Sequence, residues 1–337
     1  MRLTKTVGLI SAVALVAGVA ACSGDSGDGD AGEMQVMMFP SVAYRLPVMV
    51  AQEKGFFDDE GVKINIIAQP NNLQGIQAME ATNTQAGMMS SSTLAQGIQA
   101  GSDVKLFCGG IDVAQSSILA PPDSDLPSVE DGATPEEVFK AMSGLKVGSQ
   151  TPVGAGFQKI LEAALTNGGT TDIDWVNVGG SNSVTQASLQ NGSVDVAQTS
   201  PSGTQILTET GAAKLLMYLP DTTGLYRDSY GSGWVGPTKW LEENPQTAKA
   251  FCDATAVGLE YILNPENKDE VLPILMKDSG IDDIAIAEAV LETYKQGYSA
   301  ELDEKVLDST FDTFRELGII EAEPPITAAG VVDKVGR

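Results

Sequence analysis

Histidine is absent from the 337-residue chain. That absence excludes Ser-His-Asp and Cys-His nucleophilic catalysis, His-ligated metal sites and His-bound haem. Cysteine is scarce. Cys22, Cys108 and Cys252 are the three in the chain and none forms a Cys-x-x-Cys spacing, so no metal, no iron–sulfur cluster and no other cofactor is expected. Cations are few as well: 20 Lys and Arg against 45 Asp and Glu leave a formal charge of −25. Nucleic acid is thereby excluded as a partner, because its binders need a basic face to displace counterions. A polybasic patch for a lipid surface is excluded for the same reason. Acidity of this kind serves solubility.

What is present points to a globular body behind an export leader. Apolar residues make up 42% of the chain and charged ones 19%, which argues against disorder. The length suits two lobes better than one core. The opening MRLTKTVGLISAVALVAGVAAC sets Arg2 and Lys5 before an apolar run over 7–21. That run is long enough for a secretory signal and short for a spanning helix. It ends in VAAC, small residues before a cysteine, which resembles a lipobox: a signal over 1–21, then lipidation at Cys22. An ordinary cleaved signal is the plainer alternative. Residues 22–33, continuing as SGDSGDGDAGE, carry nothing able to pack and as a flexible coil would reach roughly 18 Å, so they read as a tether. An anchor of this kind places the body outside the cytoplasmic membrane. There Cys108 and Cys252, on an apparent strand and an apparent helix, either pair or stay as buried thiols.

The stretch KVGSQTPVGAGFQKILEAAL (146–165) runs from an apolar strand through a glycine turn into a helix whose Phe157, Ile160, Leu161, Ala164 and Leu165 share one face. It looks like a phosphate cradle. Yet no Gly-Lys-Ser/Thr follows, and Lys159 stands where a dinucleotide loop has its third glycine. A repeat gives a better reading. QAMEATNTQAGMMSSSTLAQGIQAGSDVKL (77–106) aligns without a gap to QASLQNGSVDVAQTSPSGTQILTETGAAKL (186–215), setting Ser90, Ser91 and Ser92 opposite Thr199, Ser200 and Pro201. Upstream, VMMFPSVAYRLPVMV (36–50) aligns to VGSQTPVGAGFQKIL (147–161) at nearly the same offset, 111 against 109. Two similar α/β lobes follow. Strands are expected at 36–39, 62–67, 104–108, 145–148, 174–178, 194–197 and 214–218, with helices between them.

Open α/β sheets bind ligands beyond the carboxyl ends of their strands, where helix N-termini present free N–H groups. The residues at those tips are Ser41, Tyr44 and Arg45; Ser90, Ser91, Ser92 and Thr93; Thr151 and Gly154; 179–182, including Ser181 and Asn182; and Thr199 and Ser200. N-capping alone would enrich serine and threonine there. Arg45 stands apart, because a cation in a first helical turn needs a partner.

LPVMVAQEKGFFDDEGVKINII (46–67), with LKVGSQTPVGAGFQKILEAAL, LQNGSVDVAQTSPSG and WLEENPQTAKAFCDATAVGLEYILNPEN (240–267), resembles the blocks of the ABC-transporter solute-binding proteins of the nitrate, sulfonate, taurine and thiamine-precursor family. The resemblance covers most of 34–320. It implies a two-lobed type II periplasmic-binding fold, each lobe an open mixed sheet flanked by helices, with lobe one at 34–120 plus 225–337 and lobe two at 121–224. It also implies a monomer that captures a small molecule by closure and delivers it to an ABC permease. Carried over, the cleft would be lined by the tips above plus Asp112, with Tyr226 and Trp234 as aromatic walls or as core. The ligand expected is a small organic anion: a sulfonate, a taurine-like zwitterion, nitrate, or an aromatic or heterocyclic acid. The alternatives are a thiamine-precursor pyrimidine or a binding lobe that feeds a sensor. Enzymatic relatives that make such a pyrimidine use histidine, so an enzyme is not expected. In the proline- and acid-rich stretch 120–137, Thr134-Pro135-Glu136-Glu137 predicts a capped helix start, and in the helical tail Leu307, Phe311, Phe314 and Leu317 predict a core-facing helix.

Overall fold

The computed structural model describes residues 32–38, 42–68 and 72–335. The signal, Cys22, most of the tether and Ser41 lie outside the described residues. The described residues form eleven strands: β1 (Gly32–Met38), β2 (Val62–Ala68), β3 (Ala86–Ser90), β4 (Val104–Ile111), β5 (Ser117–Ala120), β6 (Lys146–Ser149), β7 (Asp174–Asn177), β8 (Val196–Thr199), β9 (Lys214–Tyr218), β10 (Ser232–Pro237) and β11 (Tyr298–Ser299). Between and after them run α1 (Val42–Glu53), α2 (Phe56–Asp59), α3 (Asn72–Thr82), α4 (Ser91–Gln99), α5 (Pro135–Ala141), α6 (Gly156–Asn167), α7 (Asn182–Gln190), α8 (Pro201–Glu209), α9 (Leu219–Thr222), α10 (Gly224–Arg227), α11 (Thr238–Glu243), α12 (Pro245–Leu263), α13 (Lys268–Ser279), α14 (Ile284–Lys295), α15 (Glu304–Glu316) and α16 (Ala328–Val331). No helix among the described residues is long and apolar enough to cross a membrane.

The strands form two sheets, β11-β4-β10-β3-β1-β2 and β7-β6-β8-β5-β9. Taken from its other edge the second is β9-β5-β8-β6-β7, which repeats the inner order of the first place for place. β10 runs antiparallel between β3 and β4, and β5 runs antiparallel between β8 and β9. β11 also pairs antiparallel with β4, at the edge; β1 with β2 and β3, and β6 with β7 and β8, are parallel. The sequence repeat therefore folds as β3-α4-β4 in one lobe and β8-α8-β9 in the other.

The two inner antiparallel strands, β5 and β10, each follow a crossing between lobes, 112–116 before β5 and 219–231 before β10. The first crossing lies earlier than the sequence boundary at 120. β5 is wholly buried and pairs with lobe-two strands; Pro121-Pro122 ends that strand rather than linking the lobes. At the other end, β1 begins at Gly32 and pairs in register with β2, so the last two residues read as tether belong to the sheet.

Lobe one is closed by α12, which lies on α1 and on the face of β4 and β10. A Cβ on Gly258 of α12 would come within 2.5 Å of the Pro47 carbonyl oxygen, so the two helices touch backbone to backbone there. The EKG-FF segment supplies anchors. Gly55 takes φ +81, open to glycine, and turns the chain so that Phe57 stacks on Phe251 at 5.6 Å and Phe56 meets Tyr261 at 5.7 Å. Cys108 of β4 and Cys252 of α12 form a disulfide, Cα to Cα 5.7 Å, which resolves the choice left open by the sequence. On the opposite sheet face α15 buries Leu307, Phe311 and Phe314. In lobe two, α5 starts with the expected capping box: the Glu137 amide donates to Thr134 Oγ1 at 3.3 Å and the Thr134 amide to Glu137 Oε2 at 2.8 Å.

Candidate functional site

The two crossings run side by side. The Gly231 amide donates to the Asp112 carbonyl and the Leu219 amide to the Ser116 carbonyl, each at 2.9 Å. Helix starts from both lobes gather on this pair.

From lobe one comes α4. Its serine run follows a wholly buried strand, β3, so the hydroxyls are carried inward with the backbone. Ser90 caps the helix, accepting from the Thr93 amide at 3.2 Å, and its own hydroxyl donates to Thr93 Oγ1 at 2.9 Å. Ser91 is bound twice to the return crossing: its amide donates to the Gly231 carbonyl at 3.0 Å and its hydroxyl to the Tyr230 carbonyl at 2.6 Å. Ser92 faces lobe two. A Cβ on Gly156, the first residue of α6, would lie 2.8 Å from Ser92 Cβ and 2.9 Å from its Oγ. The jaws therefore meet at this point.

From lobe two come α6, α7 and α8. Thr199 ends β8 fully buried, and its carbonyl accepts from the Ser116 hydroxyl at 3.4 Å. The Gln198 amide group donates to Ser116 Oγ and to Tyr226 Oη, both at 3.1 Å. Ser200 stands at the N-cap of α8, Ser181 at that of α7 and Ala155 at that of α6, and none of the three makes a side-chain cap bond. Their first-turn N–H groups are thus left to other acceptors. A Cβ on Gly203 would run into Thr199 Oγ1 and, at 2.5 Å, Asn182 Oδ1, so the starts of α7 and α8 are packed together. Ser181 and Gly154 are exposed, and Thr151, Asn182 and Ser200 are half-buried. Gly154 sits at φ +86 with open space where a side chain would be, and its amide donates to Gln158 Oε1 at 2.7 Å.

The sequence-derived residues thus divide. Ser90, Ser91, Ser92, Thr199 and Ser200 come to the crossings, and Thr151, Gly154, Ser181 and Asn182 stand at the lobe-two tips. Tyr44 opens lobe one's α1, but its hydroxyl is buried, and burial raises its pKa above the ordinary tyrosine value. Arg45 does not stand free at its tip. Its Nη2 pairs with Asp278 Oδ1 of α13 at 2.6 Å, so the partner its helical position demands comes from the protein itself; Nε is buried without a partner. Burial, more than Arg45 offsets, raises the Asp278 carboxyl above its ordinary range. Asp112 lies on the first crossing with its pKa raised, chiefly by burial and further by Glu301 and Asp303, while Ser299 opposes the shift. Tyr226 is buried with its hydroxyl held by Gln198. Its ring borders a gap of only about 20 Å³ between the jaws, shared with Ser92, Phe157 and Ile160. Trp234 is no wall of the crevice. It sits in the core of lobe one, edge-on to Phe251 at 4.9 Å, because its place on β10 points it to the α12 face.

Sequence reasoning missed Ser116, Gln198, Tyr230 and Gly231, which tie both helix starts to the crossings. They lie at a strand end and in irregular chain, where no periodicity marks them. Gly156 was visible as a glycine beside a helix start, but its contact with Ser92 lies across the lobes.

Two sheets of matched order, two adjacent crossings and polar helix starts converging on them define a periplasmic-binding-protein fold. The chain belongs to the NMT1/THI5-like family, whose model matches residues 43–268. No curated protein sequence matches it. Among solved structures it is similar to the alkanesulfonate-binding protein SsuA from Xanthomonas axonopodis pv. citri bound to MOPS, with TM-score 0.70, 17% identity, and 90% of this chain and 98% of that one covered. It is similar to the periplasmic aliphatic sulphonate-binding protein SsuA from Escherichia coli, with TM-score 0.69, 15% identity and coverage of 89% and 97%. It is also similar to the periplasmic nitrate-binding protein NrtA from Synechocystis PCC 6803, with TM-score 0.65, 15% identity and coverage of 90% and 86%.

Proposed function

We propose that this protein is an extracytoplasmic solute-binding lipoprotein of an ABC importer. It captures a small organic anion between its lobes and hands it to a permease. The observation that carries the reading is the set of helix starts at α6, α7 and α8, none with a side-chain cap, facing the crossings from lobe two. Helix N-termini favour negative charge through free N–H groups and the helix dipole. With Arg45 engaged by Asp278, these donors and the hydroxyls of Thr151, Ser181 and Ser200 carry the recognition. Lobe one contributes the α4 serines. The sulfonate and nitrate binding named for the structural neighbours supports an anion of that kind. The reading needs no covalent chemistry. Lipidation at Cys22, with the acidic tether behind it, holds the body near the membrane as a monomer.

The experiment is a thermal-shift screen with taurine, alkanesulfonates, nitrate, aromatic carboxylates and pyrimidines. A ligand of the folded state raises the melting temperature as its concentration passes Kd. A shift with one of the anions supports the reading. A shift with a neutral pyrimidine alone overturns the anion assignment.

A further inference from the structure

The start of α6 meets lobe one at more than Ser92. A Cβ on Gly156 would also lie 3.3 Å from Ile319 Cγ2. Three residues along the same helix, the Lys159 ammonium donates to the Gly318 carbonyl. Gly318 and Ile319 follow α15, a lobe-one helix, so both contacts span the lobes. In the sequence Lys159 stood out only as the residue that spoils a dinucleotide loop; in the fold its partner lies 159 positions away.

The acceptor is built by the way α15 ends. Gly318 takes φ +62, which glycine adopts without strain. The Ile319 amide donates back to the Phe314 carbonyl at 2.8 Å and the Gly318 amide to the Arg315 carbonyl at 3.1 Å. These are the two bonds of a Schellman end. The Gly318 carbonyl thus stands at the negative end of the α15 dipole, where a cation is favoured. The turn is tied to α4. The Gln96 side-chain amide donates to the Ile319 carbonyl at 3.2 Å, and Gln99 both donates to the Glu321 carbonyl and accepts from its amide at 2.8 Å. The acceptor therefore moves with Ser92. The donor moves with lobe two, because α6 buries Ile160, Leu161, Ala164 and Leu165. When the lobes rotate apart, Lys159 leaves Gly318.

We propose that Lys159 is a latch that holds the lobes closed before any ligand arrives. It sets the open fraction, and through it the affinity of the crevice, from a position that touches no ligand. The latch rests on capture by closure, as proposed above, and is indifferent to which anion is captured. Opening breaks one charge-assisted hydrogen bond and parts Ile319 from Gly156. Lys159 is half-buried, so water screens the bond in part and the latch biases the equilibrium without locking it. Without it, more of the ligand's binding free energy goes into closing the lobes, and affinity falls by the factor that the open fraction gains.

The test reads the open fraction with no ligand present. Ser92 is 3% exposed and faces Gly156, so a thiol introduced by Ser92→Cys meets a maleimide only when the jaws part. Cys108 and Cys252 are joined in their disulfide, and peptide mass mapping separates the new thiol from Cys22. In the Ser92→Cys background, Lys159→Met keeps the aliphatic reach, removes the charge and speeds labelling about fivefold. Its denaturant midpoint stays in place. Lys140→Met removes the same charge from α5, where Lys140 pairs with Glu136 of its own helix, and leaves labelling unchanged. Gly156→Leu, which wedges the jaws directly, speeds labelling whether or not the latch exists. Faster labelling with Gly156→Leu but not with Lys159→Met overturns the latch and spares closure; no change with either overturns both. The latch also falls if Lys140→Met acts as strongly as Lys159→Met, or if the faster labelling comes with an equal loss of global stability.

Discussion

Ser92 of lobe one and Gly156 of lobe two touch across the jaws with no space for a β-carbon between them: a Cβ built on Gly156 would lie 2.8 Å from Ser92 Cβ. Each stands in the first turn of its helix, α4 and α6, so the two helix starts approach as closely as glycine allows.

Gly156→Leu should therefore hold the lobes apart. The glycine has no positive φ, so its backbone accepts a side chain, and the added bulk acts on closure rather than on folding. Scattering should give a larger radius of gyration than for the unmutated protein. Affinity for the crevice ligand should fall at least tenfold, about 1.4 kcal/mol. An unchanged radius and affinity would show that the jaws do not need this contact.

Arg45→Ala leaves Asp278, whose side chain is 5% exposed, without its partner. Because the arginine is itself partly exposed, the expected loss is about 2 kcal/mol, between the values for surface and buried pairs. Denaturant titration reads it directly. Anion affinity should hold within about threefold. The opposite pattern, full stability with affinity down tenfold or more, would return Arg45 to the crevice.

The disulfide closes a loop of 144 residues between β4 and α12. Cross-links over long loops typically add about 2–4 kcal/mol by restricting the unfolded chain. Cys108→Ser with Cys252→Ser should lower the melting temperature correspondingly, and dithiothreitol should do the same to the unmutated protein only. If both treatments leave the melting temperature in place, the bond does not form in solution.

Asp112 and Asp278 both have carboxyl pKa values raised, first of all by burial. An acid with a raised folded pKa binds more protons folded than unfolded. Its stabilisation is complete below about pH 4, the unfolded value, and is lost as pH rises through the folded value. The melting temperature should therefore rise as pH is lowered from 7 towards 5, and Asp112→Asn should flatten part of that rise. Further acidification acts the other way. Glu137 is held below its ordinary range by the Thr134 backbone and hydroxyl, so its contribution is lost as pH falls through that lowered value. A melting temperature flat from pH 7 to 5 would contradict the assignment.

Much of the architecture was legible because it is written twice. Helical phase and short apolar strands recur at a nearly constant offset, and β3-α4-β4 and β8-α8-β9 fall on the aligned segments. Thr134 and Glu137 showed their cap because a capping box is local. β5 was harder to place: Ser117 and three apolar residues before Pro121-Pro122 carry no mark of which sheet they join, and only pairing with β8 and β9 decides it. The candidate site was legible as a list of helix starts and illegible as an arrangement. That Arg45 would meet Asp278, 233 positions away, and that Trp234 would turn to α12, depend on packing between elements far apart in the chain. The same holds for the bonds from Ser91 to Tyr230 and from Gln198 to Tyr226.

The central claim is capture by closure between two lobes. The most direct measurement is small-angle scattering of the unmutated protein and the Gly156→Leu variant, each with and without the anion that raises the melting temperature in the screen. The account predicts that the anion shrinks the radius of gyration of the unmutated protein and leaves that of the variant unchanged. An anion that binds both equally tightly and alters neither radius would contradict it.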